Sequence, residues 1–491
     1  MTIQIYLALF GWPLVSLVLC GTLGARRGIC ACFVFGYLLL PSVAVQLTDG
    51  LPSYNKDFAV SVGALLGALA FDPGPLSRLR LQWFDLLVVV AWVSWGVSSL
   101  ANGLGLQESL LMWWFYAMYA GIAYFLGRCY LVGPTALRDL AITIVAGTMV
   151  YAVGAIIEMR MSPQFNVWIY GFQTFAFWET RRDLQIGSFA LGGYRPRVFL
   201  PTGLALAIWM AAGTIVAWSL WLGGHRLRLL KLRIGTISVG LAIITVLCRG
   251  TGAFALMFAA ILTLLATKWL RWKASILWIP AFVVLYIMTA LAGNFLPMRE
   301  PLVIASDALF GETRASSLDF RFRHEDALVD KALKAPIFGW GGWNRNRVDK
   351  DTAAEVLGKD SVTDGWWIII LGQRGLVGLI GTYGWMLVPA TLAVLWAIRV
   401  KAPPPVFYAV VGLSAWSTMF ALDQLLNGFN HPVQALVAGA LGSFVVLAKR
   451  HASTPPPRVA PSRSRPVGTP DGRSPSRPLL ARPIASRFDP S

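Results

Sequence analysis

Charge is what this chain has little of: 13% of its 491 residues are Asp, Glu, Lys or Arg, while 56% are hydrophobic. A water-facing shell around one core cannot be built from that ratio, which excludes an ordinary soluble domain. Acidic groups are scarcest, 24 against 42 basic ones. Cysteine is sparse too. Cys20, Cys30, Cys32, Cys129 and Cys248 all lie within or at the ends of apolar runs, so no disulfide framework is expected, and Cys30-Ala-Cys32 lacks the spacing and partners of a metal site. No HExxH and no Cys/His cluster at ligand spacing is present, so no metal is expected. A glycine-rich nucleotide cradle is also missing, which argues against direct use of ATP or a sugar nucleotide. The net charge of +18 comes without a Lys/Arg stripe interleaved with aromatics, so nucleic acid is not an expected partner.

Apolar runs of transmembrane length are what the chain has in abundance. They recur at 3–23, 29–47, 57–71, 86–101, 110–127, 140–157, 199–222, 234–248, 253–267, 276–293, 366–398, 406–422 and 433–448, each long enough, or nearly so, to cross a hydrocarbon slab of ~30 Å as a helix. The expected fold is an all-α polytopic membrane protein of about 12–13 spans, the 366–398 run being long enough to be broken. Met1 to Leu23 reads as an uncleaved first span, since it lacks a basic leader and a clear cleavage site. Counted alternately, the spans put Arg26, Arg27, Arg78, Arg80, Arg128, Arg138, the 226–233 cluster, Lys268, Arg271, Lys273, Arg399, Lys401, Lys449 and Arg450 on one side. Lys and Arg in short loops are retained in the cytoplasm, so that side is expected to be cytoplasmic and the long segments 158–198 and 294–365 to lie outside. Residues 1–452 form the membrane domain on this reading. From 453 to 491 the chain turns to Pro, Ser and Arg, a composition expected of a disordered cytoplasmic tail that leans on membrane lipids.

The 294–365 segment holds half of the acidic residues and is where chemistry is expected. Within it, Leu318 to Ala335 has the pattern of an amphipathic helix, with Arg321 and His324 three residues apart on one face and Arg323 between them. His324 is either a base working near neutral pH or a surface residue. Asp364, just before Gly365-Trp366-Trp367, is either a general base toward a hydroxyl or the N-cap of the next span; the two roles are compatible. Trp340, Trp343, Trp366 and Trp367 either stack on sugar rings or anchor the segment at the interface. Arg249, in Cys248-Arg249-Gly250 between two spans, is either a guanidinium fork for a phosphate or pyrophosphate or an arginine snorkelling at a helix hairpin. Arg197 precedes another span and faces the same choice. His431, at the outer end of a span, is a second candidate imidazole. His225 and His451 lie in basic segments and are expected to be inert.

Taken in chain order, over roughly residues 190 to 400, these segments resemble the O-antigen ligase and Wzy-type polysaccharide polymerase superfamily of bacterial envelope enzymes. The resemblance rests on Arg197 before a span, the Cys248-Arg249-Gly250 step, and Arg321 or Arg323 in a helix followed by Pro336-Ile-Phe-Gly339-Trp340-Gly341. It ends with Asp364-Gly365, nine residues, and Gly375-Leu-Val-Gly378. One element departs: the family carries His-Asn or His-Ser where this chain has Asp364-Gly365. The resemblance implies a GT-C-like bundle in the bacterial inner membrane, with short helices in a large periplasmic loop. It implies a glycosyltransferase that needs no metal or cofactor and takes its glycan from undecaprenyl pyrophosphate. Arg197, Arg249, Arg321 and Arg323 would bind the pyrophosphate, Asp364 or His324 would be the base, and Trp340, Trp343 and His431 would touch the glycan. Polymerisation in an exopolysaccharide or O-antigen pathway is the first expectation, with a chain-length regulator and export machinery as possible partners. The alternatives are a ligase acting on a lipid A core, and a flippase for lipid-linked sugars. A flippase needs polar groups along a path through the midplane, whereas here they gather at loops and helix ends.

Overall fold

The computed structural model describes residues 1–48, 50–172, 183–186, 189–292, 299–348 and 364–453. Each of the thirteen apolar runs contains a helix: α1 (Ile3–Leu23), α2 (Ala25–Leu39), α3 (Lys56–Phe71), α4 (Asp85–Ala101), α5 (Gly105–Tyr130, with a π-helical turn at Ala117–Gly121), α6 (Pro134–Met161), α7 (Gly203–Leu222), α8 (Ile234–Leu247), α9 (Thr251–Trp269) and α10 (Trp278–Leu291). Two polar helices follow, α11 (Arg299–Phe310) and α12 (Glu312–Ala332), before α13 (Trp366–Arg399), α14 (Pro404–Asp423) and α15 (Pro432–Ser453). Local chemistry sets the starts. Asn55 accepts from the Phe58 amide and Thr202 from the Ala205 amide, capping α3 and α7, and Pro134 and Pro404 open their helices where a missing N–H costs nothing. Among the described residues, strand is confined to two small antiparallel hairpins, Asp183–Ile186 with Phe189–Gly192 and Arg228–Leu229 with Leu232–Arg233. The tail from 454 onward lies outside the described residues, as do parts of both long polar segments.

Eight of these helices, α1, α5, α6, α7, α9, α13, α14 and α15, are long and apolar enough to cross a membrane. Their burial separates a centre from a rim. Side chains of α7 and α14 are covered on nearly every side, while α1 leaves Leu7, Leu14 and Val18 about two-thirds exposed. Large apolar side chains in such number on an outer surface require hydrocarbon, not water, as their solvent. The protein is a multi-pass membrane protein.

Contacts between helix termini sort the links into two ends. The His225 ring reaches the Pro405 carbonyl, so the end of α7 meets the start of α14. The Trp366 amide donates to Gln424 O at 2.8 Å, so the start of α13 meets the end of α14. Ser42 reaches Phe199 O, Glu158 accepts from the Arg197 and Val198 amides, and Asn102 reaches Gly339 O. One end thus collects the links 24, 72–84, 131–133, 223–233, 270–277 and 400–403 with the end of α15, and with them the expected cluster of Lys and Arg. The opposite end collects 40–55, 162–202, 248–250, 424–431 and α12.

The basic end is stapled from within. Arg128 grips Asp85 with two donors, at 2.8 and 3.0 Å, and both side chains are buried. Tyr124 Oη and the Gln82 amide satisfy the remaining carboxylate valence, and the guanidinium also reaches Arg80 O and Ser443 Oγ. This ties α4, α5 and α15 together. Asp85→Asn leaves a buried guanidinium without its counter-charge, an expected loss of about 3–5 kcal/mol that shows as a lowered melting temperature of the purified protein. Asp85→Leu combined with Arg128→Met should recover most of it; equal melting of the single variant and wild type would refute the staple.

At the opposite end, two glycine motifs meet. Backbone at Gly375 leaves helical geometry (φ 65°, ψ −165°), breaking α13 as its length suggested. Past the break, the amides of Leu376 and Val377 donate to Pro336 O and Ile337 O at 2.7 and 3.3 Å. In return the amides of Trp340 and Gly341 donate to Gly372 O and Gln373 O at 2.8 and 3.1 Å. The Pro336–Gly341 segment therefore docks into the kink, and Ser98 Oγ of α4 sits 2.5 and 2.6 Å from the Phe338 and Gln373 carbonyls. Gly339 takes φ 66° at the same junction. Backbones approach this closely only because neither Gly339 nor Gly375 carries a Cβ.

Candidate functional site

Positions 321, 324, 325 and 328 recur at helical spacing, so Arg321, His324, Glu325 and Leu328 share one face of α12. The docked segment that follows α12 turns that face onto the start of α13. Together with Phe320, Asp364, Gly365, Ile368, Leu425 and Leu426 it encloses a narrow cleft with about 10 Å³ of water-sized space. Arg321 Nε stands 3.4 Å from Asp364 Oδ2. Its Nη1 reaches Leu426 O at 3.2 Å, tying the 424–431 link to α12. His324 is buried with its ring 4.1 Å from Phe320, and the buried Glu325 accepts from Tyr286 Oη of α10 at 2.7 Å. An imidazole and two carboxylates thus surround one guanidinium: proton-transferring groups beside an anion-binding one.

Asp364 does not cap α13. Gly365 is the residue that opens the helix, no side chain caps it, and the Trp366 amide is satisfied by Gln424 O and Asn427 O. The carboxylate is 42% exposed, so it presents an edge outward while the guanidinium holds its other side.

The four arginines expected to act together divide into separate groups. Arg321 lines the cleft. Arg323 points away from it, 63% exposed and paired with Asp319 at 2.5 Å one turn back, so the structure does not bring it together with Arg321. Arg197 is buried with its guanidinium turned into the Leu200–Pro201 carbonyls, and the two amides that follow Pro196 are pinned by Glu158. Arg249 occupies the tight α8–α9 turn at φ 61° and donates to Gly193 O. Both belong to the cleft's end of the molecule, but neither lines the cleft.

His431 is a core residue. Its ring lies 4.4 Å from Phe420 and 4.6 Å from Tyr37, with Trp209 and Trp416 closing other sides, and Nδ1 accepts from the Gln434 amide. Burial, aided by the nearby Lys56 charge, pushes the imidazole down to about 3, so it stays neutral and meets no glycan. Trp366 and Trp367 are buried as well, against Trp95 and Tyr286, so they neither stack on sugars nor anchor at an interface. Trp340 is fixed by Nε1 donating to Lys331 O. Trp343 is 57% exposed with the Arg347 guanidinium over its ring, the most exposed of the four.

A second cavity at this end, about 250 Å³, is lined by Tyr37, Ser42, Asn55, Lys56, Asp57 and Asn430 among others. Lys56 Nζ is held by Ser42 Oγ at 2.9 Å and lies 4.4 Å over the Tyr37 ring. The 424–431 link separates the two spaces, with Leu425 and Leu426 on the cleft and Gly428 to Asn430 on the cavity. Sequence reading passed over Lys56-Asp57, although an adjacent charged pair at the mouth of an apolar run is itself the signal. It also passed over Arg374, buried beside the kink with its guanidinium 4.4 Å over Trp95 and a bond to Trp95 O. No protein-family model matches the chain, and no curated protein matches it.

Proposed function

We propose that this protein polymerises lipid-linked polysaccharide repeat units, transferring glycan from undecaprenyl pyrophosphate to a sugar hydroxyl on the outer face of the bacterial inner membrane. The observation that carries this reading is the Arg321–Asp364 pair with His324 beside it, in a cleft at the end opposite the basic one. On this reading the basic end is cytoplasmic, by the charge bias of retained loops, the cleft faces outside, and the bundle is of the GT-C-like kind that the resemblance implies. Asp364 takes the proton of the acceptor hydroxyl as its oxygen attacks the anomeric carbon. The bond from that carbon to the phosphate oxygen breaks, and the electron pair leaves with undecaprenyl pyrophosphate, whose charge Arg321 neutralises. No metal or cofactor enters this scheme.

The second cavity suits the acceptor, since Lys56, Asp57, Asn55 and Asn430 offer donors and acceptors to hydroxyls across the same link. Lys56→Met is expected to raise the acceptor KM about tenfold with kcat within about threefold, the loss of one charge-assisted hydrogen bond. A change in kcat alone would place Lys56 elsewhere. The reading as a whole is tested by supplying the purified protein with synthetic undecaprenyl-pyrophosphate repeat units in the presence of a chelator. Longer glycans and released undecaprenyl pyrophosphate are expected; failure to extend an intact donor with folded protein would overturn it.

A further inference from the structure

The transfer reading leaves unused a cavity of about 300 Å³ at the basic end, between the 72–84 link, the end of α5 and the last turns of α15. Arg78, Arg80 and Arg450 stand on its rim, Arg128 forms part of its floor, and Leu79 and Val446 are among its walls. Asp85, the carboxylate beneath, is already bound to Arg128 by two donors, so it does not serve as the counter-charge of Arg78 or Arg80. Among the described residues no carboxylate pairs with Arg78 or Arg80, and both are exposed. Beside these cations the surface turns apolar: Leu81, Trp83 and Val132 are 60%, 56% and 49% exposed. The Arg78 and Arg80 guanidinium groups, next to side chains that face hydrocarbon, match one kind of ligand, an anion carried on acyl chains.

We propose that this cavity binds the phosphate headgroup of an anionic phospholipid from the leaflet that meets the basic end. The guanidinium forks of Arg78 and Arg80 take the phosphate oxygens, with Arg450 across the rim, while the acyl chains lie along Leu81, Trp83 and Val132. A tryptophan at this depth is where a ring with one polar edge belongs. The site is independent of glycan transfer.

The test is native mass spectrometry of the full chain in detergent, titrated with phosphatidylglycerol and, separately, with phosphatidylcholine. Phosphatidylglycerol is expected to stay bound where phosphatidylcholine does not. Arg78→Ala with Arg80→Ala is expected to weaken its binding about thirtyfold, two cations near the headgroup plane, with the melting temperature in lipid-free detergent unchanged. Equal retention of the two lipids, or unchanged phosphatidylglycerol binding in the double variant, overturns the proposal. A free-phosphate site is the other source of the same chemistry, and displacement of bound lipid by millimolar inorganic phosphate would show it and overturn the lipid assignment.

Discussion

Replacing Asp364 by asparagine is expected to slow glycan extension at least about 10²-fold, the usual contribution of a positioned general base. The side chain keeps its shape and loses only its ability to take a proton. Fold is little affected, because the Arg321–Asp364 pair is partly open to solvent and such pairs contribute at most about 1 kcal/mol. A drop in rate with normal insertion and an unchanged melting temperature would therefore report chemistry. Initial rates with a synthetic lipid-linked repeat unit give the measurement, and His324→Gln is the informative partner. Should the imidazole be the base, the pattern inverts: the histidine variant becomes inactive while Asp364→Asn stays within a few fold of wild type. Arg321→Lys completes the set. It keeps the charge but loses the fork that also holds Leu426 O, so it should fall between the two.

What could be read from residues alone divides along a physical line. Helices are local: an apolar run is helical whatever surrounds it, so all thirteen runs were legible as helices, although only eight of those helices are long and apolar enough to cross a membrane rather than the 12–13 expected. The cleft was legible as far as helical spacing carries, since three residues bring His324 beside Arg321. The same spacing puts Arg323 about 200° away from Arg321, a step available from sequence and decisive against grouping the two. Burial was not legible. Trp366 looks like an interfacial anchor until Trp95, from a helix far earlier in the chain, closes over it. His431 looks like a terminal imidazole until rings from α2, α7 and α14 surround it. Arg197 and Arg249 share the cleft's end of the molecule, but whether a guanidinium faces a cleft or a carbonyl depends on loop backbones that no periodicity describes.

The glycine motifs show how a sequence pattern can be noticed without its reason, and they give the most severe single change in the molecule. One methyl group at position 375 is expected to prevent a folded protein from accumulating in the membrane. Gly375 holds φ 65° with ψ −165°, a region essentially confined to glycine that costs an L-residue about 1–3 kcal/mol. A Cβ there would lie 2.3 Å from the Ile337 carbonyl oxygen, 2.4 Å from its carbon and 2.6 Å from the Phe338 nitrogen. All three are backbone atoms, so no rotamer change relieves the collision; the Pro336–Gly341 segment must leave the kink. Four inter-segment hydrogen bonds go with it, each about 1 kcal/mol with buried donors left unmade. Together these approach the whole stability margin of a folded protein. Gly240→Ala is the matched control, a helical glycine whose added Cβ meets nothing within 4 Å. Size-exclusion profiles of the two variants in detergent compare them directly. If Gly375→Ala elutes and melts like Gly240→Ala, the docked segment does not hold the kink. The cleft depends on that hold, because the same segment, starting four residues beyond the end of α12, fixes where Arg321 meets Asp364.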